Sequence, residues 1–335
     1  MKKKIVVTGS AGFIGAHLAK KLHSGNFELL LWDRFSDYYS PTYKKLRVKE
    51  LLEPLESRVE EVDLLNSDHV TSLLRDYQPS AVVHLAAQPG VRLNYLEYHR
   101  YLQDNIAGFQ NILSACVQNS VPEFLYASSS SVYDDTSAKP FSEVHSKVKP
   151  KSFYGMTKKW NEEAAKHYAE RYGMKTRGLR FFTVYGPWGR PDMAYFRLIA
   201  SALGQYEFRL FGNGEIERDF TFVDDVTSRT EKLLADLSRR DSGFNDVVNI
   251  GGQDPQSMQT LIEAVQEISG KEVNLVYDKS NSEDLRRTEA DKIYGNSIMG
   301  STTYTSLRTG LQQVLEWASK DSIRKHLNEW IQSTI

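Results

Sequence analysis

The chain predicts a doubly wound α/β fold, a parallel sheet covered by helices on both faces, with a smaller C-terminal α/β lobe. Three observations carry this reading. Short β-branched runs alternate with longer segments of helical period, a three-glycine turn follows the first run, and an aspartate closes the second. Strands are expected near Lys4–Thr8, Glu28–Asp33, Val59–Val62, Ala81–Leu85, Glu123–Ser128 and Lys175–Phe181, with helical stretches between them. Pro150 and Gly173 bracket a helix predicted over Tyr154–Tyr172. Beyond about residue 182 the alternation loosens, so residues 1–182 read as the main domain and 183–335 mainly as the smaller lobe. Segments near 221–255 are expected to return to the first domain, with Asp246–Ile250, ahead of Gly251 and Gly252, adding a strand to its sheet.

A length of 335 residues is enough to bury a substantial core and to hold two layers of function. The formal net charge of -1, spread along the chain, offers no field for nucleic acid or an anionic membrane, so any bound anion must be gripped locally. The single cysteine, Cys116, lies in the apolar run NILSAC and reads as a buried helical residue, which excludes an internal disulfide framework and fits a reducing cytoplasmic location. No apolar run approaches the about 18 residues that span a bilayer, and the basic start Met1–Lys4 leads straight into a strand. No paired metal-ligand spacing occurs; His84, at the end of an apolar strand, reads as a core residue with a satisfied ring, and no metal is expected.

The first strand ends in TGSAGFIG. Gly9, Gly12 and Gly15 stand where the chain must turn sharply, let backbone N–H groups approach a pyrophosphate and pack the next helix closely on the strand. With Asp33 at the end of the second strand, roughly 20 residues on, the joint pattern predicts a Rossmann-type dinucleotide site. The Asp33 carboxylate would accept from the adenosine ribose hydroxyls and repel a 2′-phosphate, favouring NAD, although the neighbouring Arg34 could serve that phosphate. Asp63, after the third strand, either contacts the adenine or caps the next turn.

Tyr154 and Lys158, in YGMTK, are four apart on the predicted helix and share a face, where the ammonium can lower the pKa of the phenol and make it a base near neutral pH. Ser129, in ASSSSVY at a strand end that opens onto the ligand crevice, could bridge a sugar hydroxyl and Tyr154, while Ser128, Ser130 and Ser131 also fit a plain turn.

Taken in order, TGSAGFIG, HLAAQPGVR, NIAG, ASSSSVY and YGMTK resemble the extended short-chain dehydrogenase/reductases that act on nucleotide sugars. The resemblance spans nearly the whole chain. It implies bound NAD, with Phe13, Ile14, Leu64, Leu85, Ala86, Ala87 and Asn105 joining Gly9, Gly12, Gly15, Asp33, Asp63, Tyr154 and Lys158 at the cofactor, and Ser129, Tyr154 and Lys158 in the catalytic roles. It also implies a UDP-sugar partner in the C-terminal lobe and a homodimer formed through the helices near Tyr98–Asn119 and Tyr154–Tyr172.

Family dehydratases and decarboxylases carry carboxylates just before the Val-Tyr pair, whereas this chain has Ser130 and Ser131, so oxidation at C4 followed by return of the hydride to the other face is the expected chemistry. The stretch RFFTVYGPWGRPDMA resembles the sugar-recognition segment of UDP-glucuronate 4-epimerases, and implies that Thr183 and Arg190 meet the sugar carboxylate. Arg92, Ser130, Arg218 and, more weakly, Arg287 are the further substrate candidates, and Thr288 agrees with the same subgroup. Asp134, Asp135 and Pro89 depart from its usual pattern. A UDP-glucose/UDP-galactose or UDP-N-acetylhexosamine 4-epimerase is the first alternative enzyme, a UDP-sugar dehydratase or decarboxylase a more distant one, and an NAD-binding regulator the non-enzymatic one.

Overall fold

The structure, a computed structural model, describes residues 2–334 apart from 26, 205, 212–213, 253, 279–285 and 302. Its strands, in chain order, are β1 (Lys3–Thr8), β2 (Phe27–Asp33), β3 (Val59–Glu61), β4 (Ala81–His84), β5 (Glu123–Ser129), β6 (Lys175–Phe181), β7 (Thr183–Tyr185), β8 (Phe208–Phe211), β9 (Glu217–Arg218), β10 (Phe220–Phe222), β11 (Asn245–Ile250), β12 (Gln256–Ser257) and β13 (Leu275–Asp278). Seven of them form one sheet in the order β11-β6-β5-β4-β1-β2-β3, every neighbouring pair parallel. The predicted doubly wound sheet is therefore present, and the late strand Asn245–Ile250 does return to it, beside β6. The order reverses between β1 and β4, and in such sheets the ligand crevice opens at the strand C-termini there.

Both faces of the sheet are covered, which explains why β1 and β4 read as continuous apolar runs and not as alternating ones. Ile5 and Val7 join Ala16, Leu22, Val226 and Leu233 on one face. Val6 and Val82 point the other way, into Val70, Leu74, Ile112 and Ala165. Two-residue alternation thus survives as a division between two apolar layers.

Past β6 the chain builds three small two-stranded sheets, β10-β7, β12-β9 and β13-β8. Their helices enclose a separate aromatic core that includes Trp188, Tyr195, Phe196, Trp317 and Trp330. The helix Pro41–Leu51, which follows β2, reaches into that core: the Tyr43 ring lies 5.5 Å from Trp188 and 4.4 Å from Trp330. One N-terminal element thereby ties the sheet to the smaller lobe.

Candidate active site

The turn after β1 is built from close backbone packing. Gly9 has φ +72°, and a Cβ there would stand 2.6 Å from Ala86 N; Cβ atoms at Gly12 and Gly15 would stand 2.9 and 2.1 Å from Gly9 O. The helix Phe13–His23 starts with Gly12 as its N-cap and has no side-chain cap, so its first N–H groups are available to an anion. Asp33 Oδ2 accepts from Ala11 N at 3.0 Å and Oδ1 from Phe35 N at 2.7 Å, which fixes this aspartate beside the glycine turn. Arg34 is engaged elsewhere: it donates to Asp104 at 2.7 Å and lies 3.7 Å from Asp63. A 2′-phosphate here would meet three carboxylates and an arginine already paired, so these residues fit NAD.

Ser129 ends β5, where its hydroxyl accepts from Ser131 N and donates to Ser131 Oγ, both at 3.1 Å. The helix Phe153–Tyr172 begins one residue earlier than predicted, capped by Ser152 Oγ accepting from Gly155 N at 3.0 Å, and ends at Gly173 in the left-handed region. Its first turn rides directly on the serine turn, since a Cβ on Gly155 would come within 2.4 Å of Ser131 O. That contact brings Tyr154 to Ser129. Burial pushes the Tyr154 phenol up, against the opposing Arg190 charge and the Ser129 hydroxyl. Lys158, expected to act on the phenol, donates to Ala127 O at 3.0 Å and lies 5.8 Å from the Tyr154 ring centroid; burial lowers its own pKa to about 8.

All of these groups border one cleft of about 1020 Å³. Of the residues expected at the cofactor, Gly9, Gly12, Phe13, Ile14, Gly15, Asp33, Asp63, Leu64, Leu85, Ala86, Ala87, Tyr154 and Lys158 line it. So do Arg92, Ser129, Ser130, Thr183, Arg190 and Arg218 of the substrate candidates, together with Pro89 and Thr288. Asn105 and Arg287 stand outside the lining. The Asn105 side chain is buried behind it, bonded to both backbone groups of Gln88 and to Thr157 Oγ1 in a stretch of π-helix, Leu102–Gly108. Arg287 is held by Glu217 at 2.7 Å and Glu289 at 2.9 Å. Asp134 and Asp135 also lie off the cleft, in a turn where Asp135 pairs with Lys151. His84 is the core residue expected, with Nδ1 2.8 Å from Thr8 Oγ1 and its pKa lowered to about 3 by burial and then by Lys158.

The segment after Asp33 supplies residues that the sequence did not single out. Arg47 is fully buried and donates to Ala11 O in the glycine turn at 2.6 Å and to Trp188 O at 3.0 Å. Tyr43 OH donates to Gly189 O at 2.8 Å, and Tyr38 OH to Asp192 Oδ2 at 3.2 Å. Trp188 sits at φ +62°, an unfavourable conformation for a large side chain that these bonds help to hold. The run FSDYY that follows Asp33 holds Tyr38 but names no partner for it, and nothing in the sequence marks Tyr43 or Arg47.

A glycine turn, a strand-end serine and a helical Tyr-x-x-x-Lys pair facing one cleft define a dinucleotide-dependent enzyme of the short-chain dehydrogenase/reductase type. The chain belongs to the NAD dependent epimerase/dehydratase family, which it matches over residues 5–251. It is 36% identical to Protein CapI of Staphylococcus aureus, over 94% of this chain and 98% of that protein. It is 37% identical to UDP-glucuronate 4-epimerase 6 of Arabidopsis thaliana, over 93% of this chain and 71% of that one. Among solved structures, the UDP-glucuronic acid 4-epimerase of Bacillus cereus in complex with UDP-glucuronic acid and NAD superposes with a TM-score of 0.85 at 33% identity, covering 94% of this chain and 98% of that one. The family resemblance read from the motifs is borne out.

Proposed function

We propose that the chain catalyses the reversible C4 epimerisation of UDP-glucuronate to UDP-galacturonate through a 4-keto sugar, with NAD held throughout. One observation carries the reaction type: the acidic residues that line the cleft, Asp33, Asp63 and Asp104, cluster around Arg34 at its ribose end, away from Tyr154. Among the described residues, the lining at the reacting end has serines and a threonine but no carboxylate to drive elimination across the ring. Oxidation and re-reduction at one carbon is the chemistry such a site supports. The likeness to UDP-glucuronate 4-epimerases supports the choice of sugar.

NAD, when bound, supplies the hydride acceptor and returns the hydride. The glycine turn and Asp33 would hold it. Tyr154 takes the C4 hydroxyl proton and later returns one, with Ser129 orienting that hydroxyl. Lys158, poised near neutrality, adds positive charge beside the nucleotide ribose. Thr183 and Arg190 face the sugar, Arg92, Ser130 and Arg218 border the path of the nucleotide, and residues 183–335 mainly form the sugar-binding lobe. Asn105 holds the Gln88 backbone, and Arg287 acts through Glu217 beside Arg218. The enzyme is expected to be a cytoplasmic homodimer; no helix among the described residues is long and apolar enough to cross a membrane.

The test is to incubate purified protein with UDP-glucuronate and, separately, UDP-glucose, and to follow the anomeric protons by NMR. Appearance of the C4-inverted uronate is expected. Conversion of UDP-glucose alone would overturn the assignment.

A further inference from the structure

Arg190 does not face the cleft as an unpaired cation. Its Nε and Nη2 donate to the two carboxylate oxygens of Asp192, each at 2.9 Å, and Tyr38 OH donates to Oδ2 of that carboxylate at 3.2 Å. Arg190 lines the cleft and Asp192 does not. Burial alone would raise the Asp192 carboxyl, but the Arg190 charge and fork outweigh it and hold it below the ordinary range. The pair is therefore net neutral before any sugar arrives. Two of its five N–H donors are spent on Asp192; those of Nη1 and the outer N–H of Nη2 remain for a ligand, and the charge behind them is already answered by a carboxylate.

That arrangement suits a reaction whose intermediate must turn over. The 4-keto sugar has to present both faces to one hydride position, so the C5 carboxylate must leave any partner it found in the first orientation. A bare, desolvated arginine would bind it tightly enough to slow that exchange. Arg190 is the cation whose field reaches the Tyr154 phenol, and C5 adjoins the reacting carbon, so its charge falls where the carboxylate travels.

We infer that Asp192 is a positioning residue that attenuates the hold of Arg190 on the sugar carboxylate, giving up ground-state affinity so that the keto sugar can rotate. The inference rests on the uronate 4-epimerase reading above. Asp192→Asn keeps the shape and removes the charge. It is expected to lower KM for UDP-glucuronate about 3- to 10-fold and to lower kcat by a similar factor, while the dissociation constant of UDP, which lacks the sugar, stays within about twofold. Asp192→Glu, which restores the charge, should return KM toward the wild-type value.

If Asp192→Asn fails to fold because Arg190 is left without its counter-ion, the same charge is read in the paired variants. In Arg190→Gln the Asp192 carboxylate faces the uronate directly and KM should rise about 10-fold or more; in Arg190→Gln/Asp192→Asn much of that rise should vanish. An unchanged or higher KM in Asp192→Asn with normal UDP binding, or no relief in the double variant, overturns the inference. Wild-type protein that does not epimerise UDP-glucuronate fails the functional reading instead, so the two failures are distinct.

Discussion

Lys158 is stabilised in the fold by less than its charge requires. Burial lowers its pKa from 10.5 to about 8, so between those values the unfolded chain binds more protons than the folded one. Stability therefore rises with pH across that window, and at pH 7 the cost is present in full. Lys158→Met should raise the unfolding free energy of nucleotide-free protein at pH 7 by about 1–3 kcal/mol, while turnover falls about 100-fold or more. Urea titrations at pH 7 and above pH 10 check the sign: the gain should shrink at the higher pH, and a less stable variant at pH 7 refutes it. The meeting of Tyr154, Lys158 and Ser129 on one cleft was legible because their spacing on a helix and a strand end is itself the signal. The bidentate partner of Arg190 was not. Asp192 stands two residues away in the sequence, and nothing in the string says whether that carboxylate turns toward the arginine or toward solvent.

At the scale of elements, the helix Phe153–Tyr172 and the segment after Asp33 place the chemistry. Gly155 allows that helix to lie on the serine turn, with a Cβ only 2.4 Å from Ser131 O. Gly155→Ala should cost about 1–3 kcal/mol in stability and, by moving Tyr154 off Ser129, reduce kcat about 100-fold. Calorimetry and the NMR assay check both, and a fully active variant would show that the contact has slack. Arg47 is the joint between the glycine turn and the segment that carries Arg190. Its loss leaves the Ala11 and Trp188 carbonyls without their donor, so Arg47→Met should destabilise by about 2–4 kcal/mol and weaken both NAD and UDP-glucuronate binding, as melting curves and titrations would report. Strands could be read from apolar runs because a sheet buried on both faces leaves that pattern, whereas their order in the sheet depends on crossovers that apolar runs do not record. Arg47 could not, because a charged residue on a predicted helix ordinarily faces water.

At the scale of the whole molecule, the helices that border the candidate site carry some of its exposed apolar side chains. Leu102 and Met156 are each 51% exposed and Trp160 37%. A homodimer formed over these side chains would brace the helix bearing Tyr154 and Lys158 from outside. Analytical ultracentrifugation should show twice the chain mass, and Met156→Asp/Trp160→Glu should shift it to monomer with reduced turnover; an unaltered dimer would place the interface elsewhere. Within the molecule, Cys116 is completely buried and its thiol is pushed far up by that burial. The folded protein is in effect blank to thiol reagents. A cysteine placed on either lobe would be the sole attachment point for a fluorophore or spin label, and two such sites would let the distance between the sheet and the smaller lobe be followed during turnover without first removing a native thiol.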